Sequence, residues 1–149
     1  MSGARYIRPA AIAALLGLLS AQAVGAEPAR SQAEVNAALR AVPQITGPLM
    51  AAGIAAGIAE YCPTISAREM RARADALGLY NHARSLGYTS AEIRAFVRDR
   101  GERDWLEGQV RAWFAARGLR ENSPADGFCA LGHAQIAENA PSARYLRAR

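Results

Sequence analysis

The chain of 149 residues contains no lysine, only two cysteines and only two histidines. Every one of its 18 basic residues is therefore arginine, a bias that reflects a GC-rich genome before it reflects a mechanism. Two His, two Cys and no catalytic signature motif name no reaction. Seven Pro and 13 Gly are too few for a fibrous or low-complexity protein. Charged residues make up 21%, with both signs interspersed, which argues against a disordered chain. No stretch alternates apolar and polar residues long enough to suggest a β-strand. At this length there is room for one domain, or one domain behind a targeting segment, and not for two cores.

What is present begins with an export signal. Arg5 and Arg8 precede residues 9–26, which carry no charge, and the apolar heart runs over residues 11–19. Val24-Gly25-Ala26 supplies the small residues of a cleavage site, so residues 1–26 read as a signal peptide cut after Ala26, and 27–149 as a single domain. The alternative is an uncleaved N-terminal membrane anchor, for which the segment around residues 20–23 is weakly apolar. A lipoprotein is excluded because the first cysteine is Cys62. The protein is therefore expected in the periplasm or outside the cell. Without the signal the chain has 123 residues and 16 Arg against 13 acids, a net +3 instead of +5. Its apolar residues comprise 27 Ala and about 32 larger ones, a thin core for a chain that buries roughly two thirds of its unfolded surface.

The remainder is punctuated into helices. Ser31-Gln-Ala-Glu34 is a capping box that opens a helix reaching about Val42, where Pro43 ends it. Gly47-Pro48 opens a second segment over 49–60. Ser66-Ala-Arg-Glu69 is another capping box, starting a long helix through Leu86, with Gly87 as its left-handed cap. Thr89-Ser-Ala-Glu92 opens a helix with Ile93, Phe96 and Val97 on one face, interrupted at Gly101. Leu106, Val110, Trp113 and Phe114 then share one face up to Gly118. Ser123-Pro124 begins a helix to about Asn139, and Pro141-Ser142 starts a last turn. The predicted fold class is all-α: a small bundle of five to six short helices with short connections, stapled by one disulfide.

The staple would be Cys62–Cys129, since an even cysteine count in an oxidising compartment favours pairing. It would close a loop of about 68 residues and stabilise by about 4 kcal/mol on the chain-entropy argument. The rival is a metal or redox site on Cys129 and His133, one helical turn apart, although zinc needs three or four ligands and no third or fourth is evident. His82 reads as a solvated helix residue. The acids Asp99, Glu102, Asp104 and Glu107 alternate with Arg98, Arg100, Arg103 and Arg111, the pattern of a solvated, salt-bridged face. Trp113 falls on the apolar stripe and reads as core; Trp105 reads as more exposed. The uncharged stretch 44–59 contains Gly53-x-x-x-Gly57, which fits a buried helix packed closely on its neighbours better than a short membrane span. A pI of 9.9 invites a nucleic-acid reading, but the net +3, the export route and the scattered Arg residues argue against it. The C-terminal trio Arg144, Arg147 and Arg149 is a candidate contact for anionic lipid headgroups or an acidic partner surface.

Three segments taken in order carry a family resemblance: Cys62-Pro-Thr-Ile-Ser-Ala-Arg68; Leu86-Gly-Tyr-Thr-Ser-Ala-Glu-Ile93 with Phe96-Val97; and Cys129-Ala-Leu-Gly132 with Ile136-Ala137. Together they resemble the domain of unknown function 5333 family of small exported alphaproteobacterial proteins, over roughly 35–147. The resemblance implies a helical periplasmic domain with the two cysteines paired, no assigned catalytic residues, and an accessory role beside a membrane assembly, since some members are encoded among genes for respiratory NADH dehydrogenase subunits. The expected function is a non-catalytic periplasmic interaction or accessory protein with no cofactor, whose partner is another exported or membrane protein. The alternative is a small ligand- or metal-binding module, or a minor enzyme, using Cys129 and His133 or a cleft between helices.

Overall fold

The computed structural model describes residues 29–149; the expected signal peptide lies outside the described residues. Six α-helices follow one another: α1 Gln32–Arg40, α2 Pro43–Tyr61, α3 Glu69–Ser85, α4 Ser90–Arg98, α5 Arg100–Ala115 and α6 Ala125–Ala137. The all-α reading holds, with one addition. Two three-residue strands, β1 Ile65–Ala67 and β2 Leu146–Ala148, pair antiparallel with Ser66 opposite Arg147. Three residues are too few to show a period of two, and the pairing joins segments some 80 residues apart, so local pattern carries no sign of it. A 3₁₀ turn at Pro141–Tyr145 leads into β2.

Local chemistry explains most boundaries. Both the Ser31 and Thr89 capping boxes form: Ser31 Oγ accepts the Glu34 N–H while Glu34 accepts the Ser31 N–H at 2.7 Å, and Glu92 does the same for Thr89 at 2.7 Å. The third expected box does not form. Ser66 lies in β1, its hydroxyl donates to the Arg147 carbonyl at 3.3 Å, and α3 starts at Glu69 behind Arg68 with no side-chain cap. Strand pairing has outcompeted the local cap. Gly87, at φ +90°, closes α3 as expected: the Gly87 N–H bonds Arg84 O at 3.0 Å and the Tyr88 N–H bonds Ala83 O at 3.2 Å, the two bonds of a Schellman motif. Gly118 ends the α5 segment in the same way, and Asn139 takes that position after α6 at φ +51°.

Two expected breaks fall elsewhere. Pro43 opens α2 instead of only closing α1, and Pro48 lies inside α2. At the first helical position a proline removes an N–H that has no intrahelical partner anyway. Gly101 lies within α5, and the break between α4 and α5 sits at Asp99, which caps α5 by accepting the Glu102 N–H at 3.1 Å.

Helix α2 is the spine. Its first half, through Ile45, joins Val35, Leu39, Ala83, Tyr88 and Ile93 in one buried cluster. Its second half, through Ile54, Ala55 and Ile58, joins Ile65, Phe114, Phe128, Tyr145 and Leu146 in another. The single core expected from the length is thus two clusters threaded by one helix, with Leu49 packed on the first and Met50 on the second. No described helix is by itself long and apolar enough to cross a membrane, and α1 with α2 qualifies only as a pair bent by 76°. Gly53 and Gly57 serve packing against α5: a Cβ at Gly53 would stand 2.7 Å from Val110 Cγ2, and one at Gly57 2.7 Å from Phe114 Cε2. Gly132 does the same for α6, where a Cβ would meet Ile65 Cδ1 at 2.5 Å and Ile58 Cγ2 at 2.6 Å.

The C-terminal end closes the bundle. Arg144 holds Asp75 of α3 with two guanidinium nitrogens, Nη2 donating at 2.8 Å and Nε on the other oxygen. Arg149 N–H bonds Thr64 O at 2.9 Å. Beside these, the Cys62 and Cys129 sulfurs lie at disulfide-bonding distance, 2.08 Å, across a sequence separation of 67.

Candidate functional site

Close packing of α2 on α5, made by the two glycines, leaves an open groove of about 800 Å³ on the outer side of that contact. Ala56 and Gly57 of α2 form one wall, and Leu106 and Val110 of α5 the other. Phe114 and Phe128, both buried, form the floor with their rings edge-on at 5.4 Å. Tyr61 stacks on Phe128 at 4.5 Å and closes one end. The floor is thus rigid aromatic surface, which binds apolar partners at little cost in side-chain entropy.

Charges of both signs ring this apolar trough. Glu107 and Arg111 pair across one helical turn of α5 at 3.6 Å, and Glu60, Arg120 and Glu121 stand near Tyr61 at the other end. Burial, followed by the negative charges of Glu60 and Glu121, pushes the Tyr61 phenol above its ordinary pKa, so it stays a neutral donor and acceptor over the physiological range. An apolar channel with a charged rim suits an amphipathic helix or apolar segment laid along it, with polar contacts fixing its direction. The stripe Leu106–Val110–Phe114 and the Gly53/Gly57 spacing were both legible in the sequence. That Phe128 and Leu119 complete the site was not, since they arrive from α6 and the preceding loop.

The second candidate, Cys129 with His133, is assembled differently from expectation. Thr64 Oγ1 lies 3.2 Å from Cys62 Sγ, 3.7 Å from Cys129 Sγ and 3.4 Å from His133 Nε2. Cys62 is buried, Cys129 half-buried and His133 exposed. A sulfur bonded to its partner is no longer a thiolate ligand. Among the described residues no three His, Cys, Asp or Glu side chains converge as a metal would require.

The other singled-out residues are placed as follows. Arg144 is engaged by Asp75, which its guanidinium holds well below the usual carboxylate range; this Arg is part of the scaffold. Arg147 and Arg149 are exposed, and Arg149 Nη1 donates to Pro63 O at 3.4 Å. His82 is half-buried in the last turn of α3. Val97, expected on the apolar face of α4, is 64% exposed, while Ile93 is buried. Trp113 is half-buried against the second cluster with Arg117 stacked on it at 3.6 Å, and Trp105 lies under Arg40 at 4.9 Å.

The acidic face of α5 is the clearest departure. Glu102 is buried and accepts from Arg40 Nε at 3.0 Å, with Arg40 Nη2 on its other oxygen. Asp99 accepts from Asn36 Nδ2 at 3.1 Å. These two acids tie α5 to α1, a role that i,i+4 counting along one helix could not reveal.

Set against known families, residues 37–147 match the model of a family of unknown function (DUF5333). No curated protein and no solved structure matches the chain.

Proposed function

The chain belongs to the DUF5333 family of unknown function, and from that premise we propose that it is an exported, non-catalytic accessory protein that binds an apolar segment of another exported or membrane protein in the α2–α5 groove. The groove is the observation that carries this reading: a concavity of about 800 Å³ with a charged rim over a rigid aromatic floor. The uncharged run 9–26, preceded by Arg5 and Arg8, supports export. The cysteine pair at bonding distance suits an oxidising compartment. The family resemblance extends the proposal to a membrane-bound respiratory assembly as the partner.

Crosslinking in membranes followed by pull-down tests it, with Ala56→Arg as the control. Ala56 is exposed on the groove wall, so arginine there fills the trough while changing stability by no more than about 0.5 kcal/mol. The expected result is one stoichiometric partner captured by the native protein and lost from the variant. Recovery of the protein alone, or equal capture by both, sinks the proposal. A second reading, a small apolar ligand in the same groove, is favoured by its volume, which lies in the range of small-molecule sites. Native mass spectrometry of the protein purified without detergent would find that ligand bound.

A further inference from the structure

Helix α3 buries little for its length: of its 17 residues only Ala83 is buried. Its inner side, with Ala72, Leu79 and Ala83, rests on the bundle. Its outer side carries Met70, Ala74, Leu77 and Asn81, which alternate four and three residues apart. That is the spacing of a coiled-coil seam, with one asparagine among apolar positions. All four are exposed, Met70 by 74% and Leu77 by 62%. The seam lies on the side of α3 opposite the buried Ala83, with Ala74 at the edge of a gap onto Pro48 and Ala51 of α2, and the groove of the proposed function lies on α2 and α5.

We propose that this seam pairs with the same seam of a second copy, the two α3 helices running antiparallel about a two-fold axis. Complementarity of size is the first argument. An antiparallel pairing that sets Leu77 against Ala74 of the second copy also sets Met70 against its Asn81, so each large side chain faces a small or polar one throughout. Complementarity of charge is the second. The same pairing brings Glu69, in the first turn, 77% exposed at its side chain and only loosely paired with Arg73 of its own helix at 3.8 Å, toward the exposed Arg84 in the last turn of the second copy, whose Nη1 donates to its own Tyr88 carbonyl at 2.9 Å, and it opposes the two helix dipoles. Gly78 supplies the third. Among the described residues a Cβ there would meet nothing within 4 Å, so no contact among them calls for a glycine that costs about 1 kcal/mol relative to Ala inside a helix. In the pair, Gly78 leaves room for Arg71 of the second copy.

A helix of 17 residues is about 25 Å long, and a seam of that length buries less than the roughly 1,200 Å² of a stable interface. The dimer is therefore weak and reversible. Sedimentation equilibrium of the full chain in non-reducing buffer, over a wide concentration range, reads it directly. Native protein is expected to pass from monomer to dimer. Leu77→Arg is expected to weaken association by about tenfold or more, with unchanged helix content and melting temperature, because the site is exposed.

The charge pair gives a test that misfolding cannot imitate. Glu69→Arg and Arg84→Glu should each self-associate poorly, whereas a mixture of the two should dimerise like the native protein, since every contact between them is again of opposite sign. A native protein that stays monomeric to millimolar concentration overturns the proposal. So does a dimer indifferent to Leu77→Arg, or a mixture without rescue. A monomer that binds anionic vesicles through Leu77 assigns the face to lipid and overturns it as well.

Discussion

Removing the Cys62–Cys129 crosslink should cost this domain a large part of its stability. The sulfurs stand at bonding distance between the C-cap of α2 and the second turn of α6, at a sequence separation of 67. Tethering a loop of that length removes about 4 kcal/mol of conformational freedom from the unfolded chain, on the entropic account. Small domains are stable by only about 5–15 kcal/mol in total. For a domain of this size the loss corresponds to a fall in Tm of about 10–20 °C. Two comparisons separate the crosslink from packing. Reduction of the native protein removes the bond and keeps both sulfur atoms. Cys62→Ala combined with Cys129→Ala also removes the sulfurs, and with them a contact in the core around the buried Cys62. Urea unfolding of the oxidised, reduced and double-alanine proteins should rank them in that order, with most of the loss at the first step. A difference below about 1 kcal/mol between oxidised and reduced protein would refute the reasoning. Two free thiols in the purified oxidised protein, counted by mass after alkylation, would remove its premise.

Two further outcomes follow from the packing and the charges. Gly132→Ala should destabilise by about 1–3 kcal/mol, offset in part by better helix propensity, because its methyl would stand 2.5 Å from Ile65 and 2.6 Å from Ile58; a melting temperature equal to the native one would show that α6 can shift freely. Acid should loosen the C-terminal closure. Arg144 holds the folded-state pKa of Asp75 below its unfolded value near 3.9, so the pair's contribution is full above about pH 4 and is lost as pH falls through the folded-state pKa. Asp75→Asn should flatten that part of the stability–pH curve, and a slope unchanged by the substitution would assign acid sensitivity to other carboxylates.

Much of the fold is legible because the chemistry is local. Ser31 and Thr89 announce their helices through a hydroxyl and a glutamate three residues on, and Gly87 marks a left-handed cap that other residues adopt with strain. Ser66 carries the same signature and obeys a different partner, because β2 arrives from the far end of the chain. The acids of α5 look like a solvated face for the same reason: Arg40 and Asn36, which claim Glu102 and Asp99, sit on α1. Part of the groove was visible as the stripe on α5 and the glycines of α2, while its aromatic floor was not.

The amino-acid sequence by itself determined the presence of the helices, the caps at Ser31, Thr89 and Gly87, the small residues Gly53 and Gly57 that allow close approach, and the pair of cysteines. Each of these depends on residues within a turn or two of one another, or on residue counts. Only the tertiary structure decided that the core divides along α2, that Arg144 is locked on Asp75, and that α3 turns an apolar seam outward. Those features depend on which distant segments meet, and the side chains that meet there carry no mark of it in their local order.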